Sequence, residues 1–251
     1  MNFDKIKFNN LEKPKINGLN IVIDTGLTIE ALKNTLSDYG KYIDFIKIGW
    51  GLSLITPKLK QKLEICNKFN IPVFFGGTLF EYMHVKNLFA EYIKWLKDIG
   101  INYLEISDGT IQIEEKLKLN YIEEARAKGF VVFSEIGKKS PEDIGSPVGW
   151  LNQISNEFEA GSNYVILEGR ESGTAGIYRS NGEIRSGLVS DIINQFDKKF
   201  DRLIFESPNK SSQVYLIKNY GANVNLSNIN NDDILPLVSL RQGLRSDTFD
   251  Q

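Results

Sequence analysis

Five strand-like runs of this chain stop on a carboxylate just where their apolar residues end. They carry Asp24 in "NIVIDTG", Glu105 in "NYLEISDG", Glu135 in "FVVFSEIG", Glu168 in "YVILEGR" and Glu206 in "RLIFESP". Two cations sit in the same kind of place, Lys47 in "DFIKIGWG" and Arg170 two residues beyond Glu168. Charged side chains are almost never buried unless paired. The recurrence therefore means either a structural ion network or a working site. Five carboxylates in one small cavity need protons or cations among them. Lys47, Arg170 and the nearby Lys139 and Lys210 supply some positive charge, and a divalent metal would supply the rest. The donors are oxygens and the chain has one histidine, His84. Mg²⁺ therefore suits Asp24, Glu105, Glu135, Glu168 and Glu206, as candidate ligands, better than zinc does.

The elements that must position these groups are legible from periodicity. Eight short apolar runs recur along 251 residues, adding "IPVFFGG" and "NVNLSN" to those above. Between them, "IEALKNTLSDYGKY", "PKLKQKLEICNKFN", "FAEYIKWLKDIG", "EKLKLNYIEEARAKG" and "GWLNQISNEFEAG" space apolar residues three and four apart, as helices do. Alternation at this spacing predicts a single-domain (β/α)8 TIM barrel over 1–251, with the first ~17 residues as an N-terminal arm. An open doubly wound sheet is the other candidate. Strand side chains alternate faces. Glu105 is in phase with Tyr103, Glu135 with Phe133, Glu168 with Ile166, Glu206 with Ile204, Asp24 with Val22 and Lys47 with Phe45. Turning all of them inward keeps charge out of the helix layer and gathers it at the C-terminal mouth, where barrel enzymes place their sites. Asn225 is expected near the end of the eighth strand. The glycine-rich segment 171–187 is expected to be a long loop able to close over the mouth, and "GWG" and "GGT" are expected to be loops.

Other features narrow the function. The net charge of −2 offers no global field for nucleic acid or an anionic membrane. The single cysteine, Cys66, excludes an intrachain disulfide and suits the cytoplasm. The charged start "MNFDKIKFNNLEKPK" lacks the apolar region of a signal peptide. There is no G-x-S-x-G elbow for His84 to serve, no G-x-G-x-x-G and no Walker A. The turn "SNINNDD", with Asn228, follows the last strand, where barrels often bind phosphate. Arg245 further on either binds an anion or pairs with Asp247. Lys47, mid-strand and inward, also fits a Schiff-base lyase or aldolase.

Taken together, "DFIKIGWG", "GGTLFEY", "LEISDGT", "SEIGKK", "LEGRESG", "FESPNKSSQ", "NVNLSNI" and "LRQGLRSDTF" closely resemble the phosphosulfolactate synthase family. The resemblance runs from about Asp24 to Phe249. It implies a (β/α)8 barrel that adds sulfite to phosphoenolpyruvate with Mg²⁺, giving (R)-2-phospho-3-sulfolactate. In methanogens this reaction opens a route to coenzyme M, and some bacteria use it to make sulfolactate. The resemblance assigns general-acid work to a lysine of "EIGKK"; Lys138 and Lys139 both match, and Lys139 is preferred. It also implies a homo-oligomer. The substrates are small anions, for which Lys138, Arg170, Lys210, Asn225, Asn228 and Arg245 are the candidate contacts. Lys47, Lys139 and Arg170 are the candidate catalytic residues.

Overall fold

A computed structural model describes residues 15, 17–138, 145–170 and 172–249. Most of the expected N-terminal arm and Lys139 lie outside the described residues. Eight parallel strands form the sheet: β1 (Asn20–Asp24), β2 (Phe45–Ile48), β3 (Val73–Phe75), β4 (Tyr103–Ile106), β5 (Val131–Ile136), β6 (Tyr164–Leu167), β7 (Leu203–Glu206) and β8 (Asn225–Ile229). They run in the order β3-β2-β1-β8-β7-β6-β5-β4, and β3 packs beside β4 across the seam. This is the nearly closed barrel expected from the alternation, not an open doubly wound sheet.

The helices are α1 (Ile29–Tyr39), α2 (Leu59–Lys68), α3 (Gly77–Val85), α4 (Phe89–Asp98), α5 (Glu115–Ala127), α6 (Pro147–Glu159), α7 (Ser186–Gln195), α8 (Lys210–Tyr220) and α9 (Ile234–Arg241). Local chemistry starts several of them. The Thr28 hydroxyl accepts from the Ala31 amide, Ser146 caps α6 with Pro147 next in line, and Asn209 accepts from the Ser212 amide. One helix departs from expectation. "GGT" is not a loop: Gly76 is the N-cap of α3 and Gly77 its first residue. Glycine is permitted at an N-cap, so this pair marks a helix start aimed at the mouth.

Alternation sorts the strand residues into two apolar layers. Val22, Ile46, Leu104, Val132, Val165, Leu203 and Leu226 pack outward against the helices. Ile21, Phe45, Phe74, Phe133, Ile166 and Ile204 fill the barrel interior. Phe74 and Phe133 stack at 4.8 Å, and Phe133 and Tyr164 at 5.0 Å. This plug closes the barrel from below. Anything carried two residues further along an inward-facing strand stands on an apolar floor and opens only upward.

Candidate active site

Four carboxylates and one ammonium stand on that floor. Lys47 Nζ lies 3.0 Å from Glu105 Oε2, 3.2 Å from Glu206 Oε1 and 3.6 Å from Glu135 Oε2. Glu135, Glu168 and Glu206 bring one oxygen each to within 4.8 Å of one another. All five side chains are buried. Backbone amides hold the carboxylates in place. Gly169 and Arg170 N–H donate to Glu206 Oε2 at 2.9 and 3.0 Å. Arg170 N–H also donates to Glu168 Oε1 at 2.5 Å, and Gly77 N–H donates to Glu105 Oε1 at 2.5 Å. The last contact needs glycine: a methyl at Gly77 would fall 2.4 Å from Ser107 Oγ.

The site encloses about 160 Å³, with Arg170, Thr110 and Asn228 also on its wall. A larger groove of about 960 Å³ runs from α2 to the starting ends of β3 and β4. Its lining gathers no comparable set of charges, so the chemistry belongs to the smaller cavity.

Electrostatics describe what the bowl can hold. Burial alone would lower the Lys47 pKa, but Glu105, Glu206 and Glu135 more than reverse it and hold the ammonium well above its ordinary value. Burial pushes Glu105 up to about 8 against the pull of Lys47, with Glu135 and Glu206 adding repulsion. One lysine thus serves three carboxylates, and the excess of negative charge favours a further cation. Glu135, Glu168 and Glu206 present an all-oxygen, buried donor set of the kind a hard divalent ion accepts. These residues therefore fit a divalent metal.

The structure separates the expected site residues into three groups. Lys47, Glu105, Glu135, Glu168, Arg170 and Asn228 share the cavity with Glu206. Asp24 does not. It follows Val22 onto the outer face, where Lys62 Nζ of α2 meets its Oδ2 at 2.5 Å and the Gly26 and Leu27 amides cap its Oδ1. The charge is turned toward the helix layer because that layer supplies a buried lysine. Asn225 also lies elsewhere than expected. It opens β8 rather than ending it, at the floor end, where it accepts from Leu19 N–H and donates to the Asp201 and Leu203 carbonyls.

Of the remaining candidates among the described residues, Lys210, Arg245 and Lys138 do not line the cavity. Lys210 begins α8 and pairs with Asp247 at 2.7 Å, and Arg245 adds its charge to the same carboxylate. Lys138 Nζ donates to Asp108 Oδ2 and O, both at 2.7 Å, and to Ile111 O at 3.2 Å. The described part of segment 171–187 is not loose. Ala175, Ile177 and Tyr178 are buried, and Tyr178 Oη donates to the Glu206 carbonyl at 2.6 Å. His84 meets Tyr121 Oη at 2.9 Å, on helices outside the barrel.

A buried support network went unread in the sequence. Lys118 Nζ contacts Glu157 Oε1 at 2.7 Å, Asp108 Oδ1 at 2.8 Å and the carbonyl of Glu135 at 2.7 Å. It ties α5 and α6 to the strand that carries Glu135. The signal was present: Lys118 shares the buried stripe of Ile122 and Ala125, a core position on a helix. Lys62, four residues before buried Cys66, carries the same mark.

An eight-stranded parallel barrel with a blind, oxygen-lined bowl at its C-terminal mouth defines a barrel enzyme whose site can hold a cation. The chain belongs to the (2R)-phospho-3-sulfolactate synthase (ComA) family, whose pattern matches residues 8–247. It is 43% identical to the phosphosulfolactate synthase of Bacillus subtilis (strain 168) over 239 residues, covering 94% of each chain. It is 38% identical to the phosphosulfolactate synthase of Methanocaldococcus jannaschii over 237 residues, covering 92% of this chain and 94% of that one. Among solved structures, a 3-hexulose-6-phosphate synthase superposes with a TM-score of 0.53 at 14% identity, covering 83% of this chain and 88% of that one. That likeness speaks for the fold alone.

Proposed function

We propose that this chain is a phosphosulfolactate synthase, a carbon–sulfur lyase that adds sulfite to C3 of phosphoenolpyruvate and yields (R)-2-phospho-3-sulfolactate. The observation that carries the reading is the convergence of Glu105, Glu135, Glu168 and Glu206 around Lys47 in a chain of this family. Glu135, Glu168 and Glu206 would hold Mg²⁺. When bound, the ion supplies Lewis-acid stabilisation of negative charge building on the substrate.

The chain's own groups account for the rest. Sulfite and phosphoenolpyruvate are both anions, and Arg170 at the cavity wall offers a planar fork that lessens their repulsion. The sulfur lone pair forms the S–C3 bond, the C2=C3 π pair moves toward the carboxylate, and C2 then receives one proton. Lys47 is fixed as an ammonium beside the carboxylates and places positive charge where the electrons go. We assign the proton to Lys139, following the family resemblance. Lys138 is engaged by three oxygens outside the cavity and is poorly placed to deliver it. Asn228 lends an amide to the substrate. The apolar floor and burial keep bulk water from the charged intermediate.

The same state of Lys47 speaks against a Schiff-base lyase, which needs a neutral amine. The reading takes 1–251 as one barrel domain working in the cytoplasm as a homo-oligomer, without nucleic-acid or membrane partners. Among the described residues no helix is long and apolar enough to cross a membrane. The test is borohydride treatment with phosphoenolpyruvate present, beside NMR of the reaction with sulfite. A new methylene next to a sulfonate, with the phosphate ester retained and no covalent labelling, is expected. A trapped adduct on Lys47 would overturn the reading.

A further inference from the structure

Five non-glycine residues among those described have positive φ. Asn70 and Asn87 follow the ends of α2 and α3, an ordinary place for a left-handed asparagine. The other three, Trp50 (51°), Arg170 (57°) and Asn228 (57°), all lie on the wall of the one small cavity, just past β2, past β6 and within β8. Left-handed backbone at non-glycine residues clusters where function over-determines it.

Arginine and asparagine have evident work among anions, and Trp50 is the odd member. A bulky aromatic at positive φ is a genuine outlier. Glycines flank it on both sides, and a glycine at that position would adopt the angle without strain. Core packing does not hold it either, because Trp50 is 51% exposed. Trp50 lines the cavity and is at the same time half exposed to water.

Position around the ring gives the indole a task. The carboxylates come from β4, β5, β6 and β7. The neighbouring strands β8, β1 and β2 contribute Asn228, Ile23, Lys47, Gly49 and Trp50, so this arc of the wall bears one ammonium and no carboxylate. Phosphoenolpyruvate has two anionic ends and one apolar edge, the C3 methylene. Sulfite is repelled by carboxylates and drawn by the Lys47 ammonium, so attack on C3 is favoured where it faces this carboxylate-free arc.

We propose that Trp50 is a substrate-contacting residue that covers the C3 methylene of phosphoenolpyruvate at the cavity mouth and keeps water off it while sulfite adds. This rests on the function proposed above. The test compares wild type with Trp50→Phe and Trp50→Gly. Tryptophan emission is titrated with phosphoenolpyruvate and Mg²⁺ without sulfite, and steady-state kinetics and melting are measured on the same preparations. With Mg²⁺ held saturating throughout, a saturable emission change on adding phosphoenolpyruvate is expected in the wild type and should be mostly lost in Trp50→Phe, since neither Trp95 nor Trp150 lines the cavity. Trp50→Gly should melt no lower than wild type, yet raise KM for phosphoenolpyruvate by roughly tenfold or more. Unchanged KM and kcat in Trp50→Gly, or a full emission response in Trp50→Phe, would overturn the assignment of Trp50 alone. So would altered sedimentation with unchanged KM, which would make Trp50, with exposed Leu54 and Ile55, a contact between copies of the chain. A wild type that consumes no phosphoenolpyruvate would instead overturn the function itself.

Discussion

Arg170 is the residue at which a structural clasp and a working group are most easily told apart. Its amide is structural, because it holds both Glu168 and Glu206. The residue lies on the cavity wall and is exposed to solvent. Arg170→Lys leaves the amide and the charge in place and removes only the planar fork. Sulfite-dependent kcat/KM should then fall on the order of 10²-fold, the scale of losing one preorganised donor, while the melting temperature stays close to wild type. Lost stability with intact kinetics would mean that the guanidinium serves the fold. Asp108 offers the converse case, a charge whose work is structural. Burial pushes its carboxyl up, but Lys118 and Lys138 outweigh that and hold it below the ordinary aspartate value. A depressed folded pKa contributes stability that is present above the unfolded value, about 3.9, and is lost as pH falls through the folded one. The stability gap between wild type and Asp108→Asn should therefore hold from neutral pH down to about 4 and close below it. Urea unfolding at several pH values measures this, and a gap that persists unchanged into stronger acid would contradict it.

At the scale of elements, strand ends set the charges and tight backbone keeps them there. Gly176 has φ +60°, and a methyl on it would fall 2.0 Å from the Glu168 carbonyl oxygen. Gly176→Ala must therefore push segment 172–185 off β6. Both a lower melting temperature and weaker metal binding by calorimetry are expected, whereas loss of only the former would detach this segment from the site. Asp24 and Lys62 form a buried pair that ties β1 to α2 away from the cavity. Lys62→Met strands the Asp24 charge and should cost about 3–5 kcal/mol, the usual price of breaking such a pair, with metal affinity per folded molecule unchanged. The same two elements show where alternation was a sufficient guide and where it was not. In β4 to β7 the phase is unambiguous, because each glutamate continues an inward aromatic or isoleucine of the plug. In β1, Ile21 and Ile23 are as apolar as Val22, so nothing in the strand itself says which face Asp24 takes. The deciding partner is a lysine on a helix almost forty residues away. The end of β8 to which Asn225 belongs is illegible for a related reason: "NVNLSN" has no sharp apolar start, and the strand's pairing with β1 shifts register between Asn20 and Val22. Glycines at α3 read as a loop because a helix that begins with glycine has no side-chain cap to announce it.

Across the whole molecule, an apolar plug, a ring of carboxylates and a rim of left-handed residues stack along one barrel axis. Family membership over residues 8–247 and the convergence of Lys47 with four glutamates point to one reaction. The most direct measurement is turnover of phosphoenolpyruvate and sulfite by the purified chain, first stripped with EDTA and then titrated with Mg²⁺, with the product identified by mass. No product is expected in EDTA, with full recovery on adding Mg²⁺ and a single species of the mass of phosphosulfolactate. Alongside it, Glu135→Gln should need at least tenfold more Mg²⁺ for half-maximal rate, about 1.4 kcal/mol of lost metal binding. Product formed at the same rate in EDTA, or wild-type Mg²⁺ dependence in Glu135→Gln, would contradict a metal-assisted addition in this bowl.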